Sequence, residues 1–412
     1  MFKRSLQQKL EKIISISPVT LLTGPRQSGK TTLVQEIAKK YNYSYVTFDD
    51  LNYLSAAKND PKGFIAGLKK PVILDEVQRV PEIFLAIKQD VDENRHAGRY
   101  LLTGSANPLL IPRLGDSLAG RMIILNLYSL SQGELQNKYE KFIDRVFSDE
   151  PLYDLKFDII SKDDLFKLIA IGGYPSVQKL ESDERELWFN SYITTILYRD
   201  VQELANISGL TEFPLLLKLL ATRVGNLLNV AELSRSIGIA NPTLHRYLSL
   251  LEILFMVKLQ ASYNTNLGKR LVKAPKTYLF DTGFLSYLID FNFNLSGGIL
   301  ENFIVSELYK QSTWSQKRVN LFHYRTVSGT EIDIILEDAA GNVVAIEVKS
   351  SQTVTPKDFK GIINLQNEIG EKFIKGIVLY TGSSYTPFGE KLFALPISSL
   401  WSWITYLLNK HK

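Results

Sequence analysis

The residues with the clearest chemical meaning form a glycine-rich loop near the amino terminus. The loop follows the apolar run Val19–Leu22 and precedes a segment with helical apolar spacing, Thr32–Ala38. Between a strand and a helix, such a loop wraps backbone N–H groups around phosphates, and the helix N-terminus adds a positive dipole end. The pattern predicts a bound nucleoside triphosphate, held by Gly24, Pro25, Arg26, Gln27, Ser28, Gly29, Lys30, Thr31 and Thr32.

Two acids at the end of a later apolar strand predict hydrolysis as well as binding. In a parallel sheet the carboxyl ends of the strands line the ligand crevice, which would place Asp75 and Glu76 beside the phosphates. Lys30 would reach the β- and γ-phosphates, Thr31 and Asp75 would hold Mg²⁺, and Glu76 would orient the attacking water. The alternative interpretation is an ordinary strand followed by a solvated acidic turn.

A third strand, Tyr100–Thr103, leads into Ser105. The Ser105 hydroxyl is predicted to sense the γ-phosphate, although polar groups of this kind are also common at strand ends.

A second set of chemically meaningful residues lies near the carboxyl terminus. Glu301 begins an amphipathic helix, whereas Asp333 and Glu347 lie on two apolar strands joined by a turn, so that register can bring them side by side. Glu347 and Lys349 are two residues apart and share a strand face. Glu301, Asp333 and Glu347 are predicted ligands of Mg²⁺ or Mn²⁺, and Lys349 would stabilise charge on a scissile phosphate.

The elements that position these residues fall into four sections. Residues 1–155 alternate strands and helices, as expected for a nucleotide-binding sheet, and residues 156–205 are predicted to be a helical lid and connector. Ser161 resembles a helix cap, and a long helix is predicted from Glu184 to Leu204, with a structural ion pair at Arg199 and Asp200 near its end. Residues 206–290 and 291–412 form the third and fourth sections.

The third section has the spacing of a helix-turn-helix. A short helix at 230–237 ends at Gly238, and a second helix begins with Asn241 as the predicted N-cap. A basic hairpin with Lys276 follows and is expected to act as a phosphate-binding wing. Because such folds also serve as protein-contact modules, that alternative remains open. The predicted DNA-binding residues are Arg246, Lys269, Arg270 and Lys273.

Composition narrows the class of protein. The chain has 412 residues, which suggests several domains, and it has no cysteine, which excludes disulfides and cysteine-based zinc sites. Its net charge of +5 is a mild indication of polyanion partners. The absence of a long apolar run or a signal-peptide core predicts a cytoplasmic protein without a membrane partner.

Taken together, these motifs resemble a prokaryotic family of AAA-type ATPases with a winged-helix region and a C-terminal restriction-endonuclease-like domain. The resemblance implies an α/β fold class, with an N-terminal P-loop AAA-type ATPase and helical lid, a winged-helix middle domain, and a C-terminal restriction-endonuclease-like α/β domain. It also implies ATP and Mg²⁺ as cofactors and a homo-oligomer in which Arg121 acts as an arginine finger, with a surface salt bridge as the alternative for Arg121. The residues that carry the resemblance are 24–31, 73–78, 102–105, 118–121, 172–175, 198–201 and the C-terminal acids.

Two functions are compatible with these patterns. In the first, ATP hydrolysis drives a protein that binds and processes or remodels DNA, and the C-terminal domain cleaves it. In the second, the ATP state controls partner binding as a regulatory switch, and the nuclease-like domain is noncatalytic. Complete sets of catalytic residues in both domains favour the first function.

Overall fold

A five-stranded parallel sheet forms the centre of the N-terminal section in the computed structural model. The strands are β1 (Val19–Thr23), β2 (Ser44–Thr47), β3 (Val72–Asp75), β4 (Tyr100–Gly104) and β5 (Met122–Asn126), in the spatial order β2-β3-β4-β1-β5. The structure describes residues 2–105, 118–150, 152, 155–196, 201, 212–264, 266, 270, 273–289, 297–326, 328–402 and 404–405.

This sheet has a hydrophobic core on each face. Strands β1, β3 and β4 are buried along their whole length, as expected for central strands of a parallel sheet covered on both sides. Leu21 and Leu74 belong to one core, whereas Leu22 and Ile73 belong to the other, because successive side chains point to opposite faces. The surrounding helices are α1 (Gln7–Ile14), α2 (Lys30–Tyr41), α3 (Leu51–Asn59), α4 (Pro61–Gly67) and α5 (Ile83–Glu93).

Short helices and one longer helix follow the sheet. The Ser161 hydroxyl accepts a hydrogen bond from the Asp164 backbone N–H, as the capping pattern predicted. The helix predicted from Glu184 begins at Ser182, and Arg199 and Asp200 lie outside the described residues. The elements of this section are α6 (Gln132–Leu135), α7 (Phe142–Val146), β6 (Leu155–Lys156), α8 (Lys162–Ile171) and α9 (Ser182–Thr195).

The middle section contains two helices joined by a short turn, at the positions that the sequence predicted. Its two helices are separated by a turn in which Gly238 has φ 81°, a left-handed conformation that glycine adopts without strain. The predicted cap is displaced by one residue, because Ala240 is the N-cap and Asn241 already lies in the helix. The elements are α10 (Glu212–Ala221), α11 (Val230–Ile237), α12 (Asn241–Ile253), the antiparallel pair β7 (Val257–Gln260) and β8 (Lys276–Leu279), and α13 (Thr282–Leu288).

A long buried helix and a six-stranded mixed sheet form the C-terminal section. The sheet has the order β13-β14-β12-β11-β10-β9, with antiparallel pairing of β9, β10 and β11 and parallel pairing of β11, β12 and β14. The elements are α14 (Gly297–Trp314), β9 (Val319–Arg325), β10 (Glu331–Asp338), β11 (Val343–Lys349), α15 (Lys360–Ile369), β12 (Phe373–Tyr380), β13 (Thr386–Pro387) and β14 (Leu392–Pro396), and β15 (Ile404–Thr405) pairs with β6.

The helical, middle and C-terminal sections share one hydrophobic core. That core extends continuously from Phe142 on α7, through Leu251 on α12 and Leu300 on α14, to Trp401. A movement of any of these elements therefore disturbs the packing of the others. Where the chain is described, each helix is too short or too polar to span a bilayer.

Candidate functional site

The glycine-rich loop connects β1 to α2 as the sequence predicted. Gly29, with φ 93°, is the N-cap of α2, so the first N–H groups of the helix point into the loop. The buried Lys30 ammonium donates hydrogen bonds to the carbonyl oxygens of Gly24 at 2.9 Å and Pro25 at 2.8 Å. The ammonium thus lies inside the curve of the loop, where phosphate oxygens can replace those carbonyl partners.

Asp75 is the last residue of β3, and three hydroxyl groups donate hydrogen bonds to its carboxylate. The Thr31 hydroxyl donates to Asp75 Oδ2 at 3.1 Å, and the Tyr45 hydroxyl donates to the same oxygen at 2.6 Å. Thr103, at the end of β4, donates to the other carboxylate oxygen. Burial, followed by the contact with Asp75, raises the pKa of Tyr45. Tyr45 therefore remains a protonated donor that orients Asp75, a role that sequence reasoning missed.

Glu76 follows Asp75 with a strained backbone. Its φ of 61° and ψ of 45° are left-handed values that are unusual for a residue with a side chain, and such strain is common at functional sites. The Glu76 backbone N–H donates to Thr103 Oγ1 at 3.1 Å. The Gln78 amide donates to the Glu76 carboxylate and, at 3.0 Å, to the hydroxyl of Ser105. Ser105 is therefore connected to Glu76 through Gln78, which sequence reasoning had not singled out.

A cavity of about 530 Å³ lies between the loop and the helical lid. The lid is also bonded to the loop directly, since the Ser176 hydroxyl donates to the Gln27 side chain at 3.0 Å and the Tyr192 hydroxyl donates to the Arg26 carbonyl at 3.4 Å. A charged triphosphate would lie under aromatic side chains of α9. The cavity is lined on one side by the glycine-rich loop, the start of α2 and the residue after β3, and on the other side by the lid. The lining residues are Arg26, Gln27, Gly29, Lys30, Thr31, Thr32 and Glu76, together with Pro175, Ser176, Trp188, Ser191, Tyr192, Thr195 and Ile196.

Arg4 joins the glycine-rich loop to the segment that follows β5. Its guanidinium donates to the carbonyl oxygens of Ser28 at 2.6 Å and Tyr128 at 2.8 Å, and it pairs with Glu134 at 3.1 Å. The residue lies before the first helix, where the sequence shows no motif. Its role became visible only with the tertiary structure.

Arg121 lies on the surface at the start of β5 and pairs with Asp92 of α5. Its Nη2 atom donates to Asp92 Oδ2 at 3.0 Å, and 28% of its side chain is exposed. This is the salt bridge that the sequence left open as an alternative. The pair is exposed, so the guanidinium can exchange this partner for another at little cost.

Whether the N-terminal site suits Mg²⁺ can be judged from the oxygen atoms of Thr31 and Asp75. Thr31 supplies a hydroxyl and Asp75 supplies a buried carboxylate within hydrogen-bond distance of it. A hydroxyl, a carboxylate, nucleotide phosphates and water are the hard oxygen ligands that Mg²⁺ prefers. The two residues therefore fit the ion.

Asp333, Glu347 and Lys349 of the predicted C-terminal site lie close together in the structure. Asp333 Oδ2 accepts a hydrogen bond of 2.9 Å from the Val348 backbone N–H, which places it beside Glu347, and Lys349 Nζ donates to Glu347 Oε1 at 2.9 Å. Burial, followed by the charge of Asp333, raises the pKa of Glu347 to about 7. The same two causes raise the pKa of Glu301 to about 8. These acids are thus close enough to repel one another.

The predicted C-terminal metal site is not shown by the structure, in which a lysine lies among the acids. Lys276 Nζ lies 2.8 Å from Glu301 Oε1, 2.8 Å from Glu331 Oε1 and 3.4 Å from Asp333 Oδ1. Within the described parts of the chain, no group of three or more acidic, histidine or cysteine side chains is arranged to hold a metal ion. The residues therefore do not fit Mg²⁺ or Mn²⁺, because a lysine of the middle section occupies the centre of the cluster.

The predicted basic wing also requires correction. Arg270 is largely buried and makes two bonds to the Glu337 carboxylate, at 2.7 and 2.8 Å, while its guanidinium lies over the ring of Tyr263. Lys276 is buried in the acidic cluster described above. Lys273 donates to the Arg325 carbonyl at 3.1 Å, and Lys269 lies outside the described residues. Arg270 and Lys276 thus bind the C-terminal section of the same chain and do not face a phosphate backbone.

The second helix of the helix-turn-helix retains an exposed face. Leu244 and Leu248 pack into the core, whereas His245, Arg246 and Ser249 are exposed, in agreement with the helical period. Arg246 therefore lies on the exposed face of α12.

Three family models match three consecutive parts of the chain. Residues 17–136 match the AAA domain family, residues 162–294 match a domain of unknown function (DUF8612), and residues 296–400 match a domain of unknown function (DUF4143). The first match covers the parallel sheet, the glycine-rich loop and the acids of β3. This match supports an AAA-type ATPase domain in the N-terminal part of the chain.

Uncharacterized proteins are similar over nearly the whole chain. One from Mycobacterium tuberculosis is 28% identical over 408 residues, which cover 97% of this chain and 84% of that protein. One from Methanocaldococcus jannaschii is 22% identical over 363 residues, which cover 83% and 77%.

Two solved structures are similar to part of this chain. The Walker-type ATPase of Pyrococcus abyssi has a TM-score of 0.45 at 13% identity, covering 70% of this chain and 96% of that chain. The RuvB Holliday junction branch migration motor of Thermotoga maritima has a TM-score of 0.30 at 21% identity, covering 62% and 88%.

Proposed function

We propose that the protein hydrolyses ATP and uses the energy to change how its middle section binds and remodels DNA. The observation that carries the proposal is the arrangement of Thr31, Asp75 and Glu76 at one edge of the sheet, opposite the lid. The reaction would be transfer of the γ-phosphoryl group of ATP to water.

Each residue of this site has a distinct role. Lys30 would leave its carbonyl partners and neutralise the phosphates, and Thr31 and Asp75 would hold Mg²⁺, which neutralises phosphate charge when bound. Glu76 would orient the attacking water, and Gln78 would hold the Glu76 carboxylate toward Ser105 until the nucleotide is in place.

The contacts of the lid give a route from nucleotide to the middle section. Tyr192 contacts the loop at the Arg26 carbonyl and packs against Phe284 of α13, with ring centroids 6.4 Å apart. Helix α14 makes a second connection, because Glu307 accepts from the Gln132 backbone N–H at 2.9 Å and Lys310 donates to the Leu130 carbonyl at 3.0 Å. Nucleotide-dependent movement of the lid would therefore reach both other sections.

The exposed face of α12 supports DNA as the partner. A partner-binding switch is the second candidate, and the inward orientation of Arg270 and Lys276 favours it, because those cations cannot contribute phosphate contacts. In both cases we propose a homo-oligomer, in which Arg121 would exchange Asp92 for the γ-phosphate of a neighbouring subunit.

A radiometric ATPase assay with and without duplex DNA tests the proposal. The parental protein should hydrolyse ATP, DNA should change the rate, and Lys30→Ala should remove both the basal and the DNA-dependent activity. Turnover that does not respond to DNA would favour the partner-binding switch. Equal turnover in Lys30→Ala would contradict hydrolysis at this site.

A further inference from the structure

The C-terminal acidic cluster, for which the sequence predicted a metal ion, contains a buried lysine. Glu301 comes from α14, whereas Glu331 and Asp333 come from β10, and all three carboxylates lie within 3.4 Å of Lys276 Nζ. Lys276 comes from β8 in the middle section, and only 2% of its side chain is exposed. A fully buried ammonium needs such partners, because desolvation without them is costly.

Several oxygen atoms of the cluster already accept hydrogen bonds. Glu301 Oε1 accepts from Lys276 and also from the Tyr278 hydroxyl, and Asp333 Oδ2 accepts from the Val348 backbone N–H. Glu347 Oε1 accepts from Lys349. A divalent ion at the centre would compete with these donors and would meet the positive charge of Lys276 at close range.

The backbone leaves the lysine little freedom to withdraw. Strand β8 pairs with β7 on one side, from Gln260↔Lys276 to Val257↔Leu279. On its other side, the Thr277 backbone N–H donates to the Asn226 carbonyl at 3.1 Å, and the Gly225 N–H donates to the Thr277 carbonyl at 3.0 Å. Moving the Lys276 backbone away from the cluster would require β8 to leave both neighbours.

We propose that the Lys276 ammonium replaces the divalent metal, and that the cluster is a metal-free ionic lock between the middle section and the C-terminal domain. The Arg270–Glu337 pair is a second bond of the same kind between the same two sections. The C-terminal domain then has a structural role and is held to the middle section by these ion pairs. It does not cleave DNA by metal-dependent chemistry.

Metal titration of the full-length, nucleotide-free protein tests this proposal. Free Mn²⁺ would be measured by electron paramagnetic resonance in the parental protein, Asp333→Asn, Lys276→Met and Lys276→Arg. The parental protein and Asp333→Asn should give the same isotherm. Lys276→Met, which keeps the length of the side chain without its charge, should gain about one Mn²⁺ per chain, and adding Asp333→Asn should remove that gain. Lys276→Arg keeps the charge and should gain none.

Three results would overturn the proposal. The first is a parental Mn²⁺ site that Asp333→Asn removes, and this comparison remains valid if Lys276→Met does not fold. The second is a folded Lys276→Met protein that takes up no additional Mn²⁺. The third is Mn²⁺-dependent DNA cleavage by the parental protein that Asp333→Asn abolishes. All three measurements are independent of ATP hydrolysis, so failure here is distinguishable from failure of the proposed ATPase function.

Discussion

The Thr31 hydroxyl lies 3.1 Å from Oδ2 of Asp75, which joins the start of α2 to the end of β3. These residues are 44 positions apart in the chain, yet their oxygen atoms already face each other. A site in which the ligands meet before the ion arrives loses less conformational freedom on binding. The pair is therefore preorganised for a magnesium–nucleotide complex.

Loss of the Tyr45 hydroxyl should weaken this preorganisation. Tyr45→Phe removes a 2.6 Å hydrogen bond to Asp75 and leaves the ring in place. Since a hydrogen bond to a charged group contributes about 1.5–3 kcal/mol, the Mg²⁺ concentration that half-saturates the ATPase should rise about tenfold or more. Tyr43→Phe is the matched control, because the Tyr43 hydroxyl bonds to the Gly98 carbonyl away from the site. Equal Mg²⁺ dependence in Tyr45→Phe and the parental protein would remove Tyr45 from the site.

Arg121 should affect turnover more than nucleotide binding. Arg121→Ala is expected to lower kcat by a factor of about 10³ or more while ATP affinity stays nearly constant, because an arginine finger acts mainly on the transition state. Mixing Arg121→Ala with Glu76→Gln protein should restore part of the activity if the finger acts in a neighbouring subunit. Asp92→Ala is the control, since it removes the partner of Arg121 and leaves the guanidinium available. Full activity of a demonstrably monomeric sample would disprove a role in trans.

The sequence predicted the placement of the loop and of the β3 acids at one edge of the sheet, because local patterns determine that placement. The loop, the acids of β3 and Ser105 all follow strands whose apolar runs are continuous, and parallel strands bring their carboxyl ends to one edge. Tyr45 was missed, and Gln78 was noted only as part of the segment 73–78 without a role, because no spacing rule links these residues to the carboxylates that they contact.

The C-terminal cluster shows why the remaining residues could not be placed from sequence. Glu347 and Lys349 were positioned correctly by strand alternation, but Lys276 was interpreted as a solvated wing residue. Its strand, which continues into Tyr278 and Leu279, is buried throughout, and a lysine within such a strand signals a buried partner. The identity of that partner depended on the packing of β8 against α14, which local pattern does not determine.

The exposed face of α12 should contribute to DNA binding. Arg246→Ala is expected to weaken duplex binding at least about threefold and to reduce the slope of log affinity against log salt concentration by about one if Arg246 contacts a phosphate. Lys62→Ala on α4 is the matched control, because it removes the same charge from an exposed position of the ATPase domain. Fluorescence anisotropy at several salt concentrations measures both quantities. Identical affinity and slope in the two variants would favour the partner-binding switch over DNA binding.

Acid should destabilise the protein through His323. Burial, followed by the charge of Lys276, lowers the pKa of His323 from 6.5 to about 4. Its Nδ1 atom is buried without a hydrogen-bond partner, so an added proton would have no acceptor. Because the unfolded chain takes up this proton first, the stabilisation is present above pH 6.5 and is lost as pH falls toward 4.

The size of this effect can be measured by substitution. The parental protein should lose about 2–3 kcal/mol of unfolding free energy through this group between pH 7.5 and pH 4.5, and His323→Gln should lack that part of the loss. Urea unfolding at both pH values gives the difference between the two proteins. The same pH dependence in both would show that His323 does not carry the effect.

Single-turnover ATP hydrolysis by Glu76→Gln tests the central claim most directly. The substitution keeps the size and the strained backbone position of Glu76 but removes the charge that orients water. ATP binding, measured by equilibrium dialysis, should stay within about threefold of the parental value, whereas the hydrolysis rate should fall by a factor of about 10² or more. Hydrolysis at the parental rate would contradict the assignment of Glu76 and, with it, the proposed mechanism of this ATPase domain.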